Sequence, residues 1–113
     1  MSSMFKKSER LSRLMIGELL RKGQRYSGAL FDIRFLSSAR FMASIVVSKK
    51  VAPRSVARHL LKRRMVAALT SQKPTIGNIN LVCVLKKTSH VPTTTEYSLE
   101  LSEFARNSIR KSV

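Results

Sequence analysis

The sequence predicts an α+β protein, a chain in which helical and strand-like segments follow one another around one core. Three observations carry that prediction. The 113 residues are 43% hydrophobic, enough for one real core, too few for two, and unlike a disordered basic tail. Residues 12–22 and 55–69 carry apolar side chains at helical spacing. Residues 30–36, 41–47 and 81–85 are short, apolar and partly alternating, as strands are.

Met1 to Lys7 has no pattern and is expected to be loose. Ser8 and Ser12 both suit the N-cap of a first helix, where a hydroxyl can accept from an orphaned backbone N–H. Leu11, Met15, Ile16, Leu19 and Leu20 then recur on one side. Arg21 and Lys22 suit the negative end of the helix dipole, and Gly23 suits the position just past the last turn. Gln24 to Ala29 has room for a short edge strand. From Leu30 to Leu36, Phe31, Ile33 and Phe35 take one face; Leu30, Asp32, Arg34 and Leu36 take the other. After a turn at residues 37–39, Phe41 to Val47 is expected to return as the hairpin partner. Pro53 interrupts, and Ser55 is expected to cap a second helix running to about Leu69. Pro74, Gly77 and Asn78 put Gln72 to Asn80 in a loop. Leu81 to Leu85 fits a central strand, and His90 to Thr95, with Pro92, a further loop in which His90 has a structural place. In the tail two periods compete. Tyr97, Leu99 and Leu101 alternate, whereas Leu101, Phe104, Ala105, Ser108 and Ile109 suit a helix, placed at about Leu99 to Lys111.

The charge is far from balanced. Lysines and arginines number 22 against six acids, a net charge of +16. No carboxylate occurs between Ile33 and Thr95. Such one-signed charge implies a polyanionic partner, nucleic acid before membrane. The longest apolar runs fall well short of the ~20 residues a spanning helix needs. Lys6, Lys7, Glu9 and Arg10 stand where a signal peptide would turn hydrophobic, so none is expected. Cys83 is the only cysteine, which suits a buried thiol in a reducing cytoplasm and, with two distant histidines, offers no zinc ligand set. Scattered acids leave no cluster for protein-based phosphodiester hydrolysis.

Val46 to Val66 holds Lys49, Lys50, Arg54, Arg58, Lys62, Arg63 and Arg64. On a helix, Arg58, His59, Lys62 and Arg63 share an arc of about 140°, while Ala57, Leu60, Leu61, Met65 and Ala68 occupy most of the rest. Arg64 falls outside that arc and is not expected to be a primary contact. Without glutamates at i±4, a purely structural face would keep its repulsion.

These residues resemble the protein component of bacterial ribonuclease P. In that family a strand ends in Ser-Lys-Lys-Val and a helix follows with Arg-Asn-x-x-Lys-Arg. Here Ser48-Lys49-Lys50-Val51 precedes Arg58-His59-Leu60-Leu61-Lys62-Arg63. Arg21-Lys22-Gly23 resembles the end of the family's first helix, and the likeness runs from about Arg10 to Arg110. It implies an αβββαβα order, a small mixed sheet with helices packed on it, in a sandwich of the ribosomal S5 domain 2 type. It also implies that the chain assists RNA-catalysed removal of the 5′ leader from precursor tRNA. Ser48, Lys49, Lys50, Arg54, Arg58, His59, Lys62 and Arg63 would bind the ribonuclease P RNA. A cleft between the first helix and the sheet, with Ile16, Leu20 and Arg34, would hold the leader. Mg2+ is expected to be held mainly by the RNA, and no protein residue is expected to be catalytic.

His59 stands where the family has asparagine, and its charge would make binding strengthen modestly as pH falls. Ile16 and Leu20 stand where phenylalanines are frequent, and Arg34 where tyrosine is. With five phenylalanines and two tyrosines in all, such a cleft would grip single-stranded RNA by charge and apolar contact more than by stacking. The alternative is a ribosomal-protein-like binder with no role in cleavage. A DNA-binding helix-turn-helix fits less well, because the basic helix follows strands.

Overall fold

The computed structural model describes residues 10–109. The expectations for Met1 to Lys7, for Ser8 as a cap and for a helical tail at 110–111 lie outside them. In chain order the elements are α1 (Arg13–Lys22), β1 (Gln24–Ser27), β2 (Phe31–Ser37), β3 (Met42–Val46), α2 (Ser55–Ile76), β4 (Ile79–Leu85) and α3 (Thr94–Phe104). A π-helical turn, Ala105–Ile109, follows α3. This is the αβββαβα order with a mixed four-stranded sheet.

The sheet runs β1-β2-β4-β3. β1–β2 and β2–β4 are antiparallel, and β3–β4 is parallel. The hairpin expected between 30–36 and 41–47 does not form, because β4 lies between the two strands. β4 is the strand suited to the centre. Leu81, Cys83 and Leu85 point into the main core, and Val82, on the other face, is also only 1% exposed. A strand buried on both faces gains most from having neighbours on both edges. β3 takes the edge, ends in the exposed Val46, and is bridged on its outer side by Arg10 pairing with Ala43. The parallel β3–β4 pair needs a long crossover, which α2 supplies.

Phe31, Ile33 and Phe35 face the main core as their alternation predicts. From α2, Leu61, Met65, Val66, Ala68, Leu69 and Ile76 join them; from α3, Tyr97, Leu101 and Phe104. Phe104 meets Tyr26 and Phe35 edge-on at 5.2 and 5.1 Å, the arrangement aromatic quadrupoles favour. Leu19, Met42 and Val82 are buried outside this cluster. α1 packs on β4 and β2, so it covers the opposite face of the sheet.

Ser12 caps α1 as expected, accepting from the Met15 N–H at 3.3 Å. Gly23 ends the helix for a reason other than left-handed backbone: its φ is −67°. A Cβ there would lie 2.5 Å from the Leu19 carbonyl oxygen and 3.2 Å from the Phe35 nitrogen, so the residue must be small. α2 is longer than expected at its C-terminal end. Pro74 sits inside its last turn and is exposed, so only the Thr70 carbonyl, exposed with it, loses a helical partner. Carrying the helix onward buries Ile76 to 1%, and Gly77, at φ 84°, turns the chain out. At the other end Arg54 occupies the N-cap without a side-chain bond, so Ser55 is the first helical residue and not the cap. α3 starts at Thr94, earlier than Leu99. Thr93 and Glu96 form a capping box, with Thr93 Oγ1 accepting from Glu96 N at 3.2 Å and Glu96 Oε1 from Thr93 N at 3.1 Å. Tyr97, Leu101 and Phe104 then form one buried stripe, and Leu99, 66% exposed, points away.

Candidate nucleic-acid interface

α2 is held on three sides, and what remains open defines its basic face. Leu61, Met65, Ala68 and Leu69 are buried on the sheet and α3. Arg64 Nη1 donates to the Pro92 carbonyl at 2.6 Å, tying α2 to the segment before α3 and keeping this cation away from the exposed face. Lys62 is half-buried and lines a pocket of about 150 Å³ with Arg10, Leu11, Ser44 and Val66. Val66 lies inside the arc of cations and is nevertheless 6% exposed, because β3 and residues 10–11 close over that side. The free window is therefore narrower than the arc. Among the four basic residues of the arc, His59 and Arg63 are exposed, while Arg58 and Lys62 sit half-buried at its border.

The segment leading into α2 adds to this window. Ser48, Lys49, Lys50 and Arg54 are exposed, and Ala52 between them is buried at 5%. A tight turn sets their order: the Val51 and Ala52 N–H groups both donate to the Ser48 carbonyl at 3.1 Å. Arg58 reaches back from the helix, Nη1 donating to the carbonyls of Ala52 at 2.9 Å and Pro53 at 2.8 Å. The cations of the turn and those of the helix are thus joined in one structure.

The second candidate surface is the sheet face under α1. Arg34 lies there, opposite in direction to Ile33 and Phe35, and is half-buried. Ile16, one turn before the buried Leu19, is half-buried too, whereas Leu20 is 50% exposed and turned off the contact. Arg25 of β1 is the direct cross-strand partner of Arg34. Two like charges opposite one another destabilise a sheet unless an anion relieves them. Sequence reading missed Arg25; alternation along 24–27 puts it on one face or the other, and only the register with β2 says that the face is Arg34's.

With this geometry in place, comparison with known families is decisive. The Ribonuclease P family model matches residues 5–108. The chain belongs to the ribonuclease P protein family. It is a ribonuclease P subunit of the tRNA-processing machinery, and the fold agrees. A Staphylococcus aureus RNase P protein, solved as a mutant with defective mRNA degradation activity, superposes with a TM-score of 0.78 at 20% identity, covering 93% of this chain and 90% of that one. Another structure of the Staphylococcus aureus protein gives 0.70 at 20% identity, covering 91% and 93%. The Thermotoga maritima RNase P protein gives 0.63 at 21%, covering 88% and 82%. Comparison with curated proteins returns no match.

In this ribonuclease P protein the described carboxylates other than the exposed Glu18 and Glu103 have structural partners. Asp32 accepts from Ser27 Oγ at 2.7 Å and pairs with Lys86 at 3.2 Å. Burial raises its pKa, but the bonds from Ser27 and Lys86 outweigh it and the carboxyl ends below its usual range. Glu100 accepts from the N–H groups of Ala29 and Leu30 at 3.0 and 3.1 Å, closing the β1–β2 turn. Desolvation raises its pKa against those bonds. His90 Nε2 meets Glu96 Oε2 at 2.6 Å, which is the structural place expected for it. Among the described residues no three His, Cys, Asp or Glu side chains come together as a metal would require.

Proposed function

We propose that the chain works as one RNA-binding domain that grips the ribonuclease P RNA with the turn before α2 and the open side of that helix. The observation that carries this is the exposed run of Lys49, Lys50, Arg54, His59 and Arg63 in a region without a carboxylate. Arginines fork onto phosphates and lysines act as mobile point charges, so the set suits a folded RNA backbone. Ser48 and Lys62 lie at its edge. The sheet face under α1, with Ile16, Arg34 and Arg25 and with Leu20 at its rim, takes the single-stranded 5′ leader of precursor tRNA, chiefly by charge.

Leader removal is then hydrolysis by the RNA subunit, which also holds the Mg2+. Among the described carboxylates, Asp32, Glu96 and Glu100 are spent on turns and caps, and no three His, Cys, Asp or Glu side chains come together. What this chain contributes is neutralised phosphate and a fixed substrate. Among the described residues no helix is long and apolar enough to cross a membrane, and the free, buried Cys83 suits work in a reducing cytoplasm.

The test is leader release from a 5′-extended precursor tRNA by the organism's ribonuclease P RNA at low Mg2+, with and without protein. A marked protein-dependent acceleration, lost in a Lys49→Ala/Lys50→Ala/Arg63→Ala variant, is the expected result. Tight RNA binding without acceleration would leave the sheet face under α1 without its role in holding the leader.

A further inference from the structure

Arg58 occupies the first position of the basic motif, yet its geometry differs from that of the cations around it. His59 and Arg63 are exposed, whereas Arg58 is half-buried. Its Nη1 bridges two successive carbonyls, Ala52 and Pro53, at 2.9 and 2.8 Å. That uses two of the five N–H donors a guanidinium has. Both of these bonds run back to the chain that leads into α2.

The place where it bonds matters. Pro53 has no N–H, so no ladder holds this segment, and α2 opens with Arg54 at the N-cap and no side-chain cap bond. The short turn closed on the Ser48 carbonyl is otherwise tethered by the burial of Ala52. Lys49 and Lys50 carry like charges and repel one another, Arg54 and the helix cations, with no acid nearby in sequence to hold them together. The Arg58 bridge lies at the junction of this turn and the helix.

We propose that Arg58 is a positioning residue: it locks the Ser48–Pro53 turn onto the first turn of α2 so that Lys49, Lys50 and Arg54 are presented with His59 and Arg63 as one preformed phosphate-binding surface, and it is not itself a phosphate ligand. This rests on the reading of that surface as the site for the ribonuclease P RNA. The gain from such an arrangement is preorganisation, since the turn is ordered before binding and not at its expense.

A double-mutant cycle on the full-length protein and ribonuclease P RNA separates positioning from contact. Arg58→Ala is expected to weaken binding about tenfold in the wild-type background. In a Lys49→Ala/Lys50→Ala background it is expected to weaken it less than about twofold, because there is little left to present. Equal losses in both backgrounds would mean that Arg58 meets the RNA itself and would overturn the proposal. If Arg58→Ala does not fold, Arg58→Lys enters the same cycle. Amide hydrogen exchange of the free protein supplies the second readout. Arg58→Ala should speed exchange at Val51 and Ala52 and leave Met65 and Leu69 unchanged; uniform acceleration would indicate general destabilisation and count against positioning. Failure of the wild-type protein to bind the RNA at all would instead remove the surface reading, and the inference with it.

Discussion

Gly28 shows how much one missing side chain can carry. A Cβ there would come within 2.5 Å of Glu100 Oε2 and 2.8 Å of its Cδ. The carboxylate needs that space to reach the Ala29 and Leu30 N–H groups. Gly28→Ala should therefore push Glu100 away and cost about 2 kcal/mol, the range of a hydrogen bond to a charged group. Urea unfolding checks the value, and in a Glu100→Ala background Gly28→Ala should cost less, because only the 3.0 Å contact with Tyr26 Cε2 remains. The Glu96 carboxyl gives a prediction in pH. The hydrogen bond from His90, then that from the Thr93 backbone, holds its pKa below the usual glutamate value. A lowered carboxylate adds stability above its unfolded pKa and loses it as pH falls through the folded one. Urea midpoints followed from neutral to acidic pH should thus fall more steeply for the wild type than for Glu96→Gln. Asp32, also lowered, acts in the same sense; Glu100, raised by burial, acts in the opposite one.

At the scale of elements, α1 has slack and α2 has almost none. Gly17 lies mid-helix in α1 with nothing within 4 Å of a built Cβ. Gly17→Ala should raise stability by about 0.5–1 kcal/mol through helix propensity alone. A higher thermal midpoint with unchanged leader release would bear that out. α2 is confined by sheet, α3, the 86–92 segment and β3, so its angular register decides which cations face solvent. Helical geometry places Arg58 and Lys62 beside His59 and Arg63 on a projection, and packing separates them. Arg64, expected to stand apart, does so for a reason the projection does not contain, its bond to Pro92.

For the whole molecule, with its net charge of +16, binding to RNA is expected to be steeply salt-dependent, because each neutralised phosphate releases counterions. Lys49→Ala/Lys50→Ala should lower the slope of log K against log salt by about 2, and Arg63→Ala by about 1. Arg106, an exposed cation on the π-helical turn after α3, should leave the slope unchanged when replaced by alanine. Filter binding over a range of salt concentrations measures all three. An equal drop for Arg106 would show that net charge, and not the surface around α2, sets the affinity.

Short-range chemistry made much of this legible in advance. Ser12, Gly23 and the alternation of Phe31, Ile33 and Phe35 mark α1 and β2 because caps, close approaches and period-2 burial act within a few residues. The basic motif after Ser48-Lys49-Lys50-Val51, which the structure places in the turn beyond β3, was enough to suggest the family and a candidate surface. The capping box at Thr93 and Glu96 was readable too, and would have corrected the start of α3. What tertiary structure alone decided depends on partners far away in sequence. β4 displaced the expected hairpin because only the assembled core could bury it on both faces. Pro74 stayed helical because Ile76 had a core to enter. Arg25 joined Arg34, and Arg58 turned inward, because register and loop closure are set between segments. One-signed charge implied a polyanionic partner; the fold chose which of those cations are exposed.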